Sequence, residues 1–372
     1  MKKDVRSVIS ILDLTREEIE SLMDTADEIE RDPEAFSEVC RHKQLATLFF
    51  EPSTRTRLSF ESAMLSLGGS VLGFSSANSS SASKGESVAD TFEVVSNYAD
   101  IIATRHPKEG AAYVGALHSS VPVVNAGDGG HFHPTQTLAD LLTIRRKKGR
   151  LNDLCIGICG DLKYGRTVHS LIEAMQRYSG ISYVLISPEE LRLPEYMTDK
   201  LKAEGAEYVE TADLEASMPK LDVLYMTRIQ KERFTDETEY QRLKDSYILT
   251  PDKLSSAKKD LCIMHPLPRV NEISVKVDED ERACYFYETY CGKQMRMALI
   301  MFLLGLTKDG AREVPKAPAK MEPKKVLRDV ISCKNPACIS STEQELPQVF
   351  ELADGEKHEY RCIYCDSLVR YQ

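Results

Sequence analysis

Residues 50–57, Phe50-Glu51-Pro52-Ser53-Thr54-Arg55-Thr56-Arg57, set hydroxyls and guanidiniums between an apolar run and an amphipathic segment. With a strand end before them and a helix after them, Ser53, Thr54 and Thr56 crowd a helix N-terminus. Backbone N–H groups there lack partners, and the helix dipole favours negative charge. Arg55 adds a planar fork suited to phosphate oxygens. The density of donors exceeds what capping a helix requires, so the segment reads as an anion site. It is not a Walker loop, because the Gly-Lys-Ser/Thr element is absent.

Similar groups recur just past other apolar runs. They are Arg105-His106-Pro107, His133-Pro134-Thr135-Gln136, Arg166 after Gly160-Asp161, Thr227-Arg228-Ile229-Gln230, and His265-Pro266-Leu267-Pro268-Arg269. Ligands of α/β sheets bind beyond the carboxyl ends of the strands, so these groups are expected to converge on one crevice. Several cations on an acidic chain imply one or more substrates with several negative charges. A different chemistry ends the sequence: Cys333-Lys334-Asn335-Pro336-Ala337-Cys338 and Cys362-Ile363-Tyr364-Cys365 supply the thiolates of a tetrahedral zinc site. With every ligand from protein, such a metal is structural, and it would supply folding energy to a segment too small to bury its own core.

The elements that must hold these residues follow from hydrophobic patterning. Short apolar or β-branched runs at 45–50, 101–104, 122–125, 154–159, 183–186, 223–226 and 261–264 alternate with amphipathic helical patterns. That alternation predicts α/β architecture with doubly wound parallel sheets in two domains, and the uniformly apolar runs fit strands covered on both faces. Phe60, Met64 and Leu67 form the buried stripe of the helix after the anion site. Residues 135–149 read as a helix joining the two domains, ending on Arg145-Arg146-Lys147-Lys148 with Gly149 as its stop. A second long helix at 294–306 packs back on the first domain. The Lys-, Ala-, Glu- and Pro-rich stretch 307–325 reads as a stiff linker to a small β domain. Serine-rich residues 75–87, with Lys84, read as a polar loop, and His42, His118, His169 and His358 belong to no constellation. The glycines of Gly157-Ile158-Cys159-Gly160-Asp161 are wrongly spaced for a dinucleotide fingerprint, which argues against a nicotinamide cofactor.

Composition bounds the function. The 372 residues are 42% hydrophobic and 28% charged, a globular balance. The longest apolar run, 297–306, is about half of a membrane span, and the N-terminus is charged, so no membrane association or export is expected. A net charge of −10 disfavours nucleic acid as a partner. Cys40, Cys155, Cys159, Cys262, Cys284 and Cys291 are scattered and read as free thiols of a reducing, cytoplasmic compartment.

Taken in order, the motifs at 50–57, 105–107, 133–136, 160–167 and 265–269 resemble those of the aspartate carbamoyltransferase family over about residues 5–306. The tail resembles the zinc domain of that family's separate regulatory chain, fused here without the nucleotide-binding effector domain. The resemblance implies a carbamoyl phosphate-binding domain at 1–134, with helix 291–306 packing back, and an aspartate-binding domain at 135–290. A linker at 307–325 and a zinc-binding domain at 326–372 follow. It implies transfer of a carbamoyl group from carbamoyl phosphate to L-aspartate in pyrimidine biosynthesis. Ser53, Thr54, Arg55 and Thr56 would hold phosphate, while Thr56, Arg105 and His133 would polarise the carbamoyl oxygen. Gln136 and the carbonyls of Pro266 and Leu267 would take the carbamoyl amide; Arg166, Arg228 and Gln230 would take the aspartate carboxylates. Ser80 and Lys84 would enter a neighbouring subunit's site, which implies a homotrimer or dimer of trimers. Structural Zn2+ is the implied metal, with no organic cofactor.

Two other readings compete. One is a carbamoyltransferase for another amine, such as ornithine, although a cationic acceptor would call for carboxylates where Arg228 and Gln230 stand. The other is a non-catalytic scaffold of the same fold whose zinc module binds a partner, against which the intact Arg55, Arg105, His133, Arg166 and Arg228 speak.

Overall fold

The computed structural model describes residues 5–229, 237–243, 246–306, 308, 325–343 and 346–371. Gln230 and nearly all of the expected linker lie outside the described residues. The chain forms two compact units, 1–135 with 293–372, and 136–292. Among the described residues no helix is long and apolar enough to cross a membrane.

In the first unit, strands β1 (Gln44–Phe49), β2 (Ser70–Phe74), β3 (Ile101–His106) and β4 (Val123–Asp128) form a parallel sheet of order β2-β1-β3-β4. Helices α1 (Arg16–Arg31), α2 (Thr54–Ser66), α3 (Val88–Val95) and α4 (Ala111–His118) belong to it. Phe60, Met64 and Leu67 are fully buried, as their spacing predicts. Helix α5 (Pro134–Lys148) carries the chain into the second unit. There β5 (Cys155–Cys159), β6 (Ser182–Ile186), β7 (Glu207–Thr211), β8 (Val223–Met226) and β9 (Cys262–Met264) form a parallel sheet of order β7-β6-β5-β8-β9. Helices α6 (Arg166–Met175), α7 (Glu195–Ala203), α8 (Leu214–Ser217) and α9 (Glu237–Leu243) follow, and α10 (Tyr285–Leu304) returns the chain to the first unit.

The expected strands are present within three residues of their predicted ends. Two strands of the parallel sheets escape the sequence pattern, β2 and β7, and both are edge strands. Their partly exposed residues, such as Glu207 and Glu210 in β7, break the apolar run that marks a strand covered on both faces. Helix α10 starts at Tyr285, several residues before the expected 291.

The tail is an antiparallel meander of β10 (Val326–Arg328), β11 (Val349–Asp354), β12 (Glu359–Cys362) and β13 (Leu368–Arg370). It docks on the end of β3 and the start of α4. Glu109 N–H donates to Ala337 O and Ile339 N–H to Glu109 O, each at 2.9 Å. The Glu109 carboxylate accepts from Asn335 Nδ2 at 2.6 Å. Gly110, at φ +85°, lets the backbone of Tyr364 approach, since a Cβ there would lie 2.5 Å from Tyr364 O. Ile339, Phe350, Tyr360 and Tyr364 share one apolar cluster with Val88, Phe92, Ala111 and Val114.

Candidate active site and thiolate cluster

Two helices of the first unit start differently. Helix α1 is closed by a capping box, with Thr15 accepting from Glu18 N–H and the Glu18 carboxylate accepting from Thr15 N–H. Helix α2 has Ser53 at its N-cap with no side-chain cap bond, and no acidic residue in its first turn. Its first turn, at Thr54, Arg55 and Thr56, therefore lacks the side-chain closure that α1 has. The end of β1 is fixed beside Arg105 by Phe50 N–H donating to Arg105 O at 2.8 Å.

The arginines of this region separate by partner. Arg57 pairs with Glu61 at 2.7 Å, and Glu61 also accepts from Thr47 Oγ1, so Arg57 braces the helix. Among the described residues Arg55 has no carboxylate partner. Burial, and then the like charge of Arg105, push its pKa down. Arg105 reaches Ala126 O at 3.3 Å and Glu51 at 2.7 Å.

His133 is buried, with Nδ1 3.4 Å from Thr135 Oγ1. Arg296 of α10 donates to that same Thr135 hydroxyl and to Ser59 Oγ of α2, each at 3.1 Å. The turn carrying His133 is built on buried Asp128, which accepts from Asn125 Nδ2, Gly110 N–H, Phe132 N–H and His131 Nδ1. His131 Nε2 meets Asp366 of the tail at 2.8 Å. Ser80 and Lys84 line a surface recess of about 520 Å³ on the serine-rich loop, which holds two short 3-10 turns. Ser80 Oγ donates to Ala77 O and accepts from Ala82 N–H, contacts within its own loop.

In the second unit Arg166 opens α6 and half-buried Arg228 follows β8. Pro266 and Leu267 lie just past β9 in a turn held by His265. Its Nδ1 accepts from Leu267 N–H at 2.7 Å and its Nε2 meets Glu272 at 2.7 Å. Leu267 adopts φ 52°, a conformation a non-glycine residue keeps only when its surroundings impose it. Gln136 Nε2 donates to Asp140 and Glu288.

The thiols of Cys333, Cys338, Cys362 and Cys365 lie within 4.8 Å of one another, with Sγ separations of 3.5 Å for Cys333–Cys365 and 3.9 Å for Cys338–Cys362. A tetrahedral ion with metal–sulfur bonds of about 2.3 Å sets its sulfurs about 3.8 Å apart, so the residues fit a metal.

The family model "Aspartate/ornithine carbamoyltransferase, carbamoyl-P binding domain" matches residues 6–146, and the "Asp/Orn binding domain" model matches 152–303. The aspartate carbamoyltransferase catalytic subunit of Lachnoclostridium phytofermentans is 61% identical over 303 residues, 81% of this chain and 99% of its own. The chain belongs to the aspartate carbamoyltransferase family. The Clostridium novyi catalytic subunit is 58% identical over 81% of this chain and 98% of its own. A solved M. jannaschii aspartate transcarbamoylase catalytic subunit superposes with TM-score 0.76 at 46% identity, covering 81% of this chain and 98% of that one. The Trypanosoma cruzi enzyme, solved with carbamoyl phosphate and aspartate, gives TM-score 0.75 at 36% identity, over 79% of this chain and 95% of that one. Residues 325–372 match the metal-binding domain of the aspartate carbamoyltransferase regulatory chain.

Several residues of this family member escape a reading of its sequence. Asp140 stands four positions from Gln136 on α5, a helical spacing that could have revealed it. Glu288 meets Gln136 across 152 residues, and His131 meets Asp366 across 235, with no local signal for either.

Proposed function

We propose that this chain transfers the carbamoyl group of carbamoyl phosphate to the α-amine of L-aspartate, yielding N-carbamoyl-L-aspartate and phosphate for pyrimidine synthesis. The observation that carries the reading is 61% identity over 99% of a curated catalytic subunit's length. The amine nitrogen attacks the carbamoyl carbon, the C–O bond to phosphate breaks, and the departing phosphate takes the amine proton. No organic cofactor is required.

In the first unit, residues 1–134 form the carbamoyl phosphate-binding domain, with 291–306 returning to it. Ser53, Thr54, Arg55 and Thr56 hold the phosphate at the start of α2. Thr56, Arg105 and His133 polarise the carbamoyl oxygen as charge develops on it, where preorganised donors act most strongly. Residues 135–290 form the aspartate-binding domain, in which Gln136 with the carbonyls of Pro266 and Leu267 takes the carbamoyl amide, and Arg166, Arg228 and Gln230 take the aspartate carboxylates. Catalysis is thus orientation and electrostatics, with no protein nucleophile.

Ser80 and Lys84 serve a neighbouring copy's site in a homotrimer or a dimer of trimers, in the cytoplasm. Residues 307–325 link the catalytic part to a domain at 326–372, whose thiolate cluster holds structural Zn2+. The spacing of the thiols and their grouping support that metal. The test of the activity is carbamoyl phosphate-dependent turnover across an aspartate series, with ornithine as the parallel acceptor. Turnover with aspartate and none with ornithine is expected; the reverse would overturn the acceptor.

A further inference from the structure

Glu288 lies in the first turn of α10 and is only 2% exposed. One oxygen, Oε1, accepts from Gln136 Nε2 at 2.6 Å, and the other, Oε2, accepts from the backbone N–H of His265 at 3.2 Å. Gln136 Nε2 also donates to Asp140 Oδ1 at 2.8 Å, and Asp140 Oδ2 accepts from Tyr225 OH at 3.1 Å. A primary amide has two N–H bonds, and here both point at carboxyl oxygens. With Nε2 held between these two carboxyl oxygens, Gln136 Oε1 is the amide's remaining acceptor.

The same carboxyl group steers a second acceptor. By taking the His265 N–H it anchors the turn whose next bond is Leu267 N–H to His265 Nδ1, and whose carbonyls at Pro266 and Leu267 follow at once. Burial, and after it the nearby Asp140 carboxylate, push the Glu288 carboxyl well above the usual carboxylate range.

We propose that Glu288 is a positioning residue for donor specificity, aligning the Gln136 amide oxygen and the 266–267 carbonyls as acceptors for the NH2 group of the carbamoyl donor. This rests on the carbamoyl-transfer reading above. A site built of acceptors favours a donor carrying N–H over its methyl analogue, because acetyl phosphate would leave them unpaired.

The experiment measures KM for carbamoyl phosphate and Ki for acetyl phosphate as its competitor, in wild type, Gln136→Ala, Glu288→Met and Glu288→Gln. Wild type should favour carbamoyl phosphate. Gln136→Ala and Glu288→Met should each cut the ratio Ki/KM by about tenfold, the scale of one lost hydrogen bond. Glu288→Gln keeps one acceptor oxygen but turns an NH2 toward either Gln136 Nε2 or the His265 N–H, so it should retain only part of the ratio. A general structural defect would weaken both ligands together and leave the ratio unchanged, which would overturn the proposal. Should Glu288→Met fail to fold, Glu288→Ser, too short to reach Gln136, makes the same comparison. A reduced ratio in Gln136→Ala with a wild-type ratio in the Glu288 variants would sink the role of Glu288 and leave the carbamoyl-transfer reading standing. No turnover of carbamoyl phosphate by wild type would overturn that reading and this proposal together.

Discussion

Glu51 Oε1 lies 2.7 Å from Arg105 Nη2, so the guanidinium assigned to the carbamoyl oxygen is held by a carboxylate of its own chain. The pair is partly exposed, with 16% and 29% of the side chains accessible. An anion arriving at Arg105 competes with that carboxylate. Replacing Glu51 by Gln removes the competitor's charge, and a partly exposed pair is worth about 1 kcal/mol or less. Inorganic phosphate should then bind up to about fivefold more tightly to Glu51→Gln, measured calorimetrically. Equal or weaker binding would show that Glu51 orients Arg105 more than it competes for it.

Arg55 and Arg105 repel each other and face a common anion in the proposed reaction. Removing either should cost about 3 to 4 kcal/mol of transition-state stabilisation, as loss of an oxyanion donor does. In kcat/KM for carbamoyl phosphate that is roughly a 10²- to 10³-fold fall for Arg55→Ala and Arg105→Ala. Near-normal turnover in either variant would refute its assignment.

The legible part of the molecule is the part encoded in neighbouring residues. Strands buried on both faces announce themselves as apolar runs, and the donors at 53–56, 105, 133, 166 and 228 sit just past such runs. The cysteine pairs are readable because each is nearly contiguous in sequence. Edge strands β2 and β7 are not, since half-exposed positions carry residues such as Glu207 that a buried strand excludes. The supports of the site are invisible for another reason. Glu288 beneath Gln136, Arg296 beneath Thr135 and Asp366 against His131 are meetings of distant segments, which only the fold creates.

Histidines give the stability a predictable pH dependence. Burial lowers the His106 pKa from its ordinary 6.5 to about 4. As pH falls from 6.5 toward 4 the unfolded chain gains a proton that folded His106 does not, so stability falls. For His131 burial also acts downward, but hydrogen bonds to Asp128 and Asp366 outweigh it and raise the pKa to about 10. Its contribution is complete below pH 6.5 and is lost as pH rises through 10. The melting temperature should therefore peak near pH 6.5, and His131→Gln should flatten the alkaline side between pH 6.5 and 10. An alkaline slope identical to wild type would exclude His131 as its source.

Metal removal probes the tail. Its strands share an apolar cluster with α3 and α4, and the thiolates that close it lie beside Asp366. Treating the protein with a strong chelator should remove the metal proposed for Cys333, Cys338, Cys362 and Cys365, expose these thiols to a thiol reagent and loosen the docked face. A chain ending at Leu306 should behave alike. Each should lower the melting temperature by about 5 °C or more, since 1 kcal/mol corresponds to roughly 2 to 4 °C for a domain of about 150 to 250 residues. Sedimentation of the shortened chain would also report any loss of oligomeric order. Unchanged unfolding and sedimentation would assign the tail no part in the catalytic assembly.

Sharing of sites between copies makes the last prediction. Ser80 holds contacts within its own loop and Lys84 lines the recess beside it, while Arg55 belongs to the start of α2. If Lys84 completes a neighbour's site, Arg55→Ala and Lys84→Ala each abolish activity in a homogeneous assembly, because every site then carries one lesion. In a mixed assembly an interface can bring the intact Arg55 of one copy to the intact Lys84 of another, while both lesions fall together in a different site. Dissociating and reassembling the two inactive proteins together should restore a substantial fraction of wild-type turnover, approaching one site in three in a trimer that holds both variants. Mixtures that stay inactive while each parent remains trimeric would place Lys84 in its own chain's site, where no mixing can separate the two defects.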